Sequence, residues 1–184
     1  AFIRAHMDRG VLTTLKHYPG HGSSREDSHN GITDITSTWR SSEQVPFQRL
    51  IDSAKVDMIM AGHLMDKGVD PKYPASISKF HIQITLRDEM GYEGVVITDD
   101  LQMGAIIKRF ELEDIVISAI NAGCDILQFS DPLDIDDNLP LRIIEIVSQA
   151  IENGQIDPQR IHESYTRIID LKSTLSSGLN PTSD

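Results

Sequence analysis

The segment KHYPGHG, residues 16–22, combines a lysine and two histidines and directly follows a short apolar run at residues 11–15. Pro19 and the two glycines exclude a continuing helix or strand, so the segment is a loop that starts where a strand ends. The side chains of Lys16 and His17 at that position can hydrogen-bond sugar hydroxyls. The alternative is a solvated lysine beside a histidine whose polar atoms are satisfied in the core.

Farther along the same loop, Asp27 and His29 are separated by one residue. A carboxylate beside an imidazole can orient the ring and raise its basicity, which is the arrangement that many hydrolases use for proton transfer. Because an isolated D-x-H triplet is common, an ordinary loop remains the alternative for this pair.

A third cluster is formed by Asp99 and Asp100, which follow the apolar run 94–97 and Thr98. A charge at the end of a buried strand costs stability unless a site uses it, and in parallel barrels catalytic groups emerge at the carboxyl ends of strands. We therefore expect one acid to face the barrel axis and the other to cap the next helix. In the alternative interpretation, both acids are helix caps.

Two further side chains are candidates for the pocket wall. His63 lies at the end of the apolar run 58–61 and can line the pocket or serve the structure of its loop. Met103 can also form part of the wall, although a methionine near a helix start usually packs.

The elements that position these residues follow from the hydrophobic pattern. Four continuous apolar runs predict strands buried on both faces, at residues 11–15, 58–61, 94–97 and 126–129. Capping residues and apolar stripes predict helices over about 2–7, 41–53, 80–90, 112–122, 143–153 and 158–171. The repeated strand–helix order predicts a parallel α/β architecture. Two long loops, 18–40 and 62–78, each follow a strand, on the side that carries the active site in barrels.

Composition excludes several classes of partner. The net charge of −11 disfavours nucleic acids and anionic membrane surfaces, and no apolar run approaches the roughly 20 residues of a membrane span. The single cysteine, Cys124, excludes an internal disulfide and fits a reducing compartment such as the cytoplasm. Because the chain opens at Ala1 inside a predicted helix, we expect a fragment, and an export signal upstream stays possible.

Several blocks together resemble glycoside hydrolase family 3. Residues 15–22 are similar to its K-H-[FY]-P-G-H-G signature, and residues 27–29 to the D-S-H of its β-N-acetylglucosaminidase branch. Residues 91–103, GYEGVVITDDLQM, resemble the block that holds the family's nucleophile. Shorter matches in family order are P-A-S at 74–76, L-R at 86–87 and A-G-x-D at 122–125.

This resemblance implies an α/β fold made of parallel (β/α) units. The chain would supply strands five to eight of a TIM (β/α)₈ barrel over residues 1–172, followed by a frayed tail over 173–184. The missing N-terminal half, which in the family supplies an aspartate and arginines that grip the sugar, or a second copy of this chain is the expected partner. The isolated chain is expected to be poorly active or inactive.

The resemblance also implies a bacterial β-N-acetylhexosaminidase that acts on cell-wall fragments or chitooligosaccharides without a metal or organic cofactor. Asp99 would be the nucleophile of a retaining mechanism, and His29 paired with Asp27 would be the acid/base. Lys16 and His17 would contact sugar hydroxyls. Some relatives use phosphate in place of water, so phosphorolysis remains an alternative to hydrolysis.

Two other classes of function compete with this interpretation. One is a metal-dependent barrel hydrolase built on His17, His21, Asp27 and His29, although Pro19 and Gly20 forbid the helix that a zinc-binding histidine pair at this spacing needs. The other is a non-catalytic half-barrel that binds sugar or a partner chain. Within the family, β-glucosidases are the nearest rival, but they usually have S-D-W where this chain has Thr98-Asp99-Asp100.

Overall fold

The structure is a computed structural model that describes residues 1–24, 32–53, 56–130 and 137–177. Its helices are α1 Phe2–Met7, α2 Val45–Asp52, α3 Gly104–Ile107, α4 Leu112–Ala122, α5 Leu139–Glu152 and α6 Pro158–Ser177. Its strands are β1 Thr14–Tyr18, β2 Thr33–Asp34, β3 Met58–Ala61, β4 Leu64–Met65 and β5 Val95–Thr98. A π-helix spans Phe80–Glu89, and short 3₁₀-helices span Ser41–Glu43 and Ala75–Ile77.

The main sheet is parallel, in the order β1–β3–β5. Strand β3 is central, and its Ala61 pairs with Tyr18 on one side and with Thr98 on the other. A parallel bridge between Ile97 and Ile126 continues the sheet beyond β5. The predicted parallel α/β class is therefore confirmed.

Two of the four predicted strands differ from the structure. Strand β1 begins at Thr14, because the Val11 amide donates to the carbonyl of His6 and the Thr13 amide donates to the carboxylate of Asp57. The first part of the apolar run thus closes helix α1 and crosses to the sheet. The prediction of a full strand at 126–129 was wrong, since the only strand-type pairing of these four residues is the bridge at Ile126.

A second parallel sheet joins the two long loops and was not predicted. In it, β2 pairs with β4, with Thr33 opposite Leu64 and Asp34 opposite Met65. The Ile35 amide continues the pairing by donating to the carbonyl of Met65. These contacts tie the loop that follows β1 to the loop that follows β3, at the end of the sheet where the candidate residues lie.

The predicted helices are present, with different ends or winding in four places. The predicted helix 41–53 is a 3₁₀-helix at Ser41–Glu43 followed by α2. The segment from Phe80 is wound as a π-helix, and α5 begins at Leu139, before the apolar stripe that predicted it. Helix α6 continues past Leu171 to Ser177, so the start of the expected frayed tail is helical. Within the described ranges, none of the helices is long and apolar enough to cross a bilayer.

The core lies between the sheet and the surrounding helices. Its buried side chains come from all three strands of the main sheet, from the π-helix and from α4: Tyr18, Ile59, Ala61, Ile82, Leu86, Val96, Ile115 and Ala119. A smaller cluster packs α4 against α5 and the start of α6, through Val116, Ile120, Ala150 and Ile156. The side chains of β3 and β5 that face this core are buried, whereas Met58, Met60 and Ile97 are only partly buried.

A buried carboxylate joins three elements at the opposite end of β5 from the candidate residues. Asp125, whose side chain is 0% exposed, lies 2.7 Å from Arg87 of the π-helix, 2.7 Å from Arg160 of α6 and 3.1 Å from Arg167 of α6. The Val96 amide donates to the same carboxylate over 2.9 Å. The position of α6 and the start of β5 are thus fixed by one side chain.

We expect Asp125→Asn to lower the free energy of unfolding by about 3–5 kcal/mol, because the buried Arg87 would lose its anionic partner and Arg160 and Arg167 would keep only the more exposed Glu163. Burial alone raises the pKa of Asp125, but Arg87 and the hydrogen bonds to its carboxylate hold that pKa below its ordinary value. The stabilisation is therefore present at neutral pH and is lost as the pH falls below about 4.

Urea unfolding at pH 7 and pH 3 measures this effect. Asp170→Asn is the matched control, since Asp170 is exposed on the same helix α6. Equal unfolding midpoints for the two variants at pH 7 would contradict the expectation.

Candidate active site

Three of the candidate side chains come together because parallel strands end at one edge. His17 lies near the end of β1, His63 follows β3, and Asp99 follows β5. The Asp99 amide donates to the carbonyl of Ala61 over 2.9 Å, which continues the sheet pairing by one residue. The structure thus places the side chains of His17, His63 and Asp99 at the same end of the main sheet.

The carboxylate of Asp99 is held on one side and open on the other. Its Oδ1 accepts the amide hydrogen of Asp100 over 2.9 Å, while its Oδ2 lies 3.9 Å from Nε2 of His17. The side chain is 16% exposed, so it is largely desolvated but reachable from the edge of the sheet. One oxygen is thus oriented by the backbone, and the other faces the site.

The side chain of Asp100 points away from His17 and binds two neighbouring segments of the chain. Its carboxylate accepts the Gln102 amide over 3.0 Å, the Ser130 amide over 3.1 Å and the Ser130 hydroxyl over 2.6 Å. The two acids therefore diverge as expected. The predicted helix cap was wrong, because α3 begins after Met103 without a side-chain cap. Asp100 instead connects the end of β5 to the segment that follows residue 126.

His17 is a half-buried imidazole beside the Asp99 carboxylate. Burial lowers its pKa from the ordinary value, and the opposing pull of Asp99 does not restore it. The positive charge of Lys16 and the nearby His21 lower it further. His17 is thus neutral at neutral pH and can donate or accept a hydrogen bond there. Lys16 is solvent-exposed, and its role as a sugar contact remains a prediction.

His63 is enclosed, with 1% of its surface exposed. Its Nε2 lies 2.8 Å from the carbonyl oxygen of Asp100, and its Nδ1 lies 2.7 Å from the hydroxyl of Ser76. Both ring nitrogens therefore have protein partners. This geometry corrects the interpretation of His63 as a direct sugar contact and favours the alternative, in which the ring serves the structure of its loop.

Met103 is half-buried at the start of α3, and its carbonyl accepts the amides of Ile106 and Ile107. It therefore starts the helix that follows the Asp99 loop. Its place in the pocket wall remains a prediction.

Glu43 fastens both ends of the loop that follows β1. Its Oε2 accepts the Gly22 amide over 2.9 Å, and its Oε1 accepts the Arg40 amide over 3.3 Å. Gly20 approaches closely, with φ at 130° and space so small that a Cβ would lie 2.6 Å from Cβ of Glu43. The sequence analysis placed Glu43 only within the predicted helix 41–53. Asp27 and His29, on the stretch between these ends, lie outside the described residues.

The metal-dependent alternative gains no support from the described part of the chain. No group of three or more histidine, cysteine or acidic side chains there is arranged to hold a metal ion. The rings of His17 and His21 are 6.1 Å apart and edge to face. Asp27 and His29, the other residues of that hypothesis, are not described.

Comparison with known proteins decides the family. Residues 1–171 match the glycosyl hydrolase family 3 N-terminal domain. This chain belongs to glycosyl hydrolase family 3. The sequence blocks that resembled the family, including the one around Asp99, lie within the matched region or at its edge.

Several family 3 relatives are similar over nearly the whole chain. β-Hexosaminidase A of Pseudoalteromonas piscicida is 31% identical over 95% of this chain and 32% of its own length. β-Hexosaminidase LpqI of Mycobacterium tuberculosis is 32% identical over 94% of this chain and 45% of its own length. The solved structure of a glycoside hydrolase family 3 β-N-acetylglucosaminidase from Paenibacillus sp. str. FPU-7 is 32% identical, with a TM-score of 0.85 over 99% of this chain and 34% of that one. The chain thus spans less than half of each of these relatives.

We expect the fold to lose stability as the pH falls from 7 to 5. Burial lowers the pKa values of His17, His63 and His81, so these rings stay neutral in the folded chain while the unfolded chain takes up protons below about pH 6.5. Each contributes up to about 1.4 kcal/mol per pH unit. Urea unfolding between pH 7.5 and 5 measures the slope.

Replacing one buried ring separates this effect from general acid sensitivity. His81→Gln should reduce the slope, whereas His162→Gln should not, because His162 is exposed. A pH-independent unfolding midpoint in the unmodified chain would contradict the expectation.

Proposed function

We propose that this chain carries the nucleophile of a retaining β-N-acetylhexosaminidase, which removes terminal β-linked N-acetylglucosamine from cell-wall fragments or chitooligosaccharides. The observation that carries the proposal is the Asp99 carboxylate, oriented by the Asp100 amide with its second oxygen toward His17. The names of the relatives, β-hexosaminidase and β-N-acetylglucosaminidase, support the same substrate class.

In the first step, Oδ2 of Asp99 attacks the anomeric carbon, and the bond from that carbon to the leaving oxygen breaks. The leaving oxygen takes a proton from His29, which Asp27 orients. In the second step, water attacks the same carbon, gives its proton to His29 and releases the Asp99 carboxylate. Two inversions return the sugar with its configuration retained.

A histidine in the acid/base role fits what surrounds Asp99. Retaining enzymes usually place a second carboxyl about 5–5.5 Å from the nucleophile. The adjacent acid, Asp100, does not meet this need, because its oxygens accept hydrogen bonds from Ser130 and Gln102. An imidazole with an ordinary pKa near 6.5 can hold a proton for the leaving oxygen and later accept one from water.

Lys16 and His17 would bind the sugar. As a neutral ring 3.9 Å from Asp99, His17 can exchange hydrogen bonds with a hydroxyl without neutralising the nucleophile as an ion pair would. A neutral acid/base imidazole also repels an anionic acceptor less than a carboxylate does. Phosphorolysis therefore stays open beside hydrolysis, and the identity of the product, free sugar or sugar phosphate, distinguishes the two.

We also infer that residues 1–172 form strands five to eight of an eight-stranded barrel. Three parallel strands and the bridge at Ile126 account for about half of such a barrel. Large apolar side chains are exposed on the first helix and on α5, namely Phe2 (73%), Leu141 (60%) and Ile144 (60%). A preceding half-barrel, or a second copy of the chain, would cover such surfaces and the open edge of β1.

Replacing the nucleophile tests the proposed function directly. We expect Asp99→Asn in the complete gene product to lower kcat on an aryl N-acetylglucosaminide by at least about 10³-fold, because an amide cannot form the covalent intermediate. Mass spectrometry of the unmodified protein after treatment with a fluorinated N-acetylglucosaminide should find the adduct on Asp99. Asp88→Asn, at an exposed acid at the end of the π-helix, is the control. An adduct on another side chain would refute the assignment.

Assembly of the barrel is tested with the isolated 184-residue chain. We expect light scattering to give a mass above that of the 20.5 kDa monomer, together with little or no turnover. Addition of an N-terminal half-barrel of the same family should restore activity, because that half would supply the remaining sugar contacts. A monodisperse monomer with normal turnover would show that the chain needs no partner.

A further inference from the structure

We propose that His63 is a positioning residue for the nucleophile, a neutral imidazole that links Ser76 to the carbonyl of Asp100 and thereby fixes the direction of the Asp99 carboxylate. This inference rests on the proposed role of Asp99 as the nucleophile. It gives a role in the reaction to a side chain that does not reach the substrate.

The hydrogen-bond partners determine the protonation of His63. The carbonyl oxygen of Asp100 can only accept, so Nε2 carries the hydrogen over the 2.8 Å contact. In the neutral ring Nδ1 then has a lone pair, and the Ser76 hydroxyl donates to it over 2.7 Å. Burial lowers the pKa of His63, which keeps the ring in this neutral form at neutral pH.

Ser76 is itself held in place. It is fully buried in the 3₁₀-helix Ala75–Ile77, and its amide donates to the carbonyl of Gly62. Gly62 is the neighbour of His63 in the chain. The loop that follows β3 therefore closes on itself and presents the ring of His63 toward the end of β5 in one orientation.

The bond from His63 acts on the nucleophile through Asp100. The Asp100 amide holds Oδ1 of Asp99, and the Asp100 carbonyl accepts from His63 and also from the Met103 amide over 3.1 Å. On the other side, the Asp99 amide is bonded to Ala61. Without His63, the residue that orients the carboxylate keeps only its link along the chain to Met103 and the contacts of its own side chain. A displacement of about 1 Å in a catalytic group can cost about 10²-fold in rate.

A second buried histidine provides a matched control. His81 is 3% exposed, and the pKa of its ring is also lowered by burial. It lies in the π-helix, its carbonyl accepts a hydrogen bond from Tyr18, and the acids that act on its ring are Asp66 and Asp70. His81→Leu therefore measures the cost of replacing a buried imidazole by an apolar side chain, without touching the nucleophile.

The experiment follows formation of the glycosyl adduct on Asp99 in the complete gene product, with a fluorinated N-acetylglucosaminide as probe. We expect His63→Leu to slow trapping by about 10–100-fold with KM changed less than about threefold, because orientation is lost while the sugar contacts remain. His63→Gln should recover most of the rate, since its side-chain amide can supply an N–H near the position of Nε2. Folded His81→Leu should be trapped at the normal rate.

Two outcomes separate this inference from the proposed function. If the unmodified protein is labelled at Asp99 and folded His63→Leu is labelled equally fast, the positioning role is overturned and the nucleophile stands. If the unmodified protein is labelled on another residue, the proposed function fails and this inference fails with it.

A spectroscopic measurement covers the case in which His63→Leu does not fold. In the unmodified protein, ¹⁵N NMR of the imidazole should show a single neutral tautomer protonated at Nε2 from pH 8 to pH 6. Ser76→Ala should disturb that tautomer and slow trapping in the same variant. A ring that exchanges between tautomers in the unmodified protein would overturn the proposal.

Discussion

The parallel register of β3 and β5 is the constraint on which the candidate site depends. Ala61 is paired with Thr98, and the next amide, that of Asp99, donates to the Ala61 carbonyl. This pairing sets where β5 ends and therefore where the carboxylate leaves the sheet. A slip of one residue would turn Asp99 to the opposite face and bring Asp100 toward His17. The position of the proposed nucleophile is thus set by the backbone pairing of β3 with β5.

Asp99 and Asp125 show how the same side chain serves opposite purposes at the two ends of β5. Asp125 is fully buried and surrounded by three guanidinium groups, so its charge is neutralised and its role is to fix the fold. Asp99 accepts one backbone hydrogen bond and faces a neutral imidazole. At the carboxyl end of β5, Oδ1 of Asp99 is therefore held by the backbone while Oδ2 faces the site. Environment separates the two roles, as it does for paired carboxylates in other hydrolases.

The sequence predicted best those elements that are determined by residues close together in the chain. β3 and β5 were predicted almost to the residue, because a short apolar run before a polar loop has one good interpretation in a parallel sheet. β1 was placed too early, since the amides of Val11 and Thr13 are bound by His6 and Asp57, which no local pattern reveals. The pairing of β2 with β4, and the three arginines around Asp125, join residues far apart in the chain.

The same limit applies to the site. The position of Asp99 at a strand end was visible in the pattern, and so was the divergence of the two adjacent acids. The orientation of the His63 ring could not be predicted, because it depends on Ser76 and on a carbonyl in another loop. A histidine at a strand end can face a substrate or support the loop beside it, and only the tertiary hydrogen bonds decide between the two.

The neutral state of the histidines beside the nucleophile has an electrostatic reason. Glycoside cleavage passes through a sugar that develops positive charge, which the Asp99 carboxylate would stabilise in its proposed role. A protonated imidazole about 4 Å from that charge would oppose it by about 4 kcal/mol at an effective dielectric constant near 20, which corresponds to a rate loss of about 10³-fold. Burial of His17 and His63 lowers their pKa values and removes that opposition at neutral pH. In the proposed roles, the imidazoles at these enclosed strand ends would position the nucleophile and the sugar by hydrogen bonds while adding no positive charge to the site.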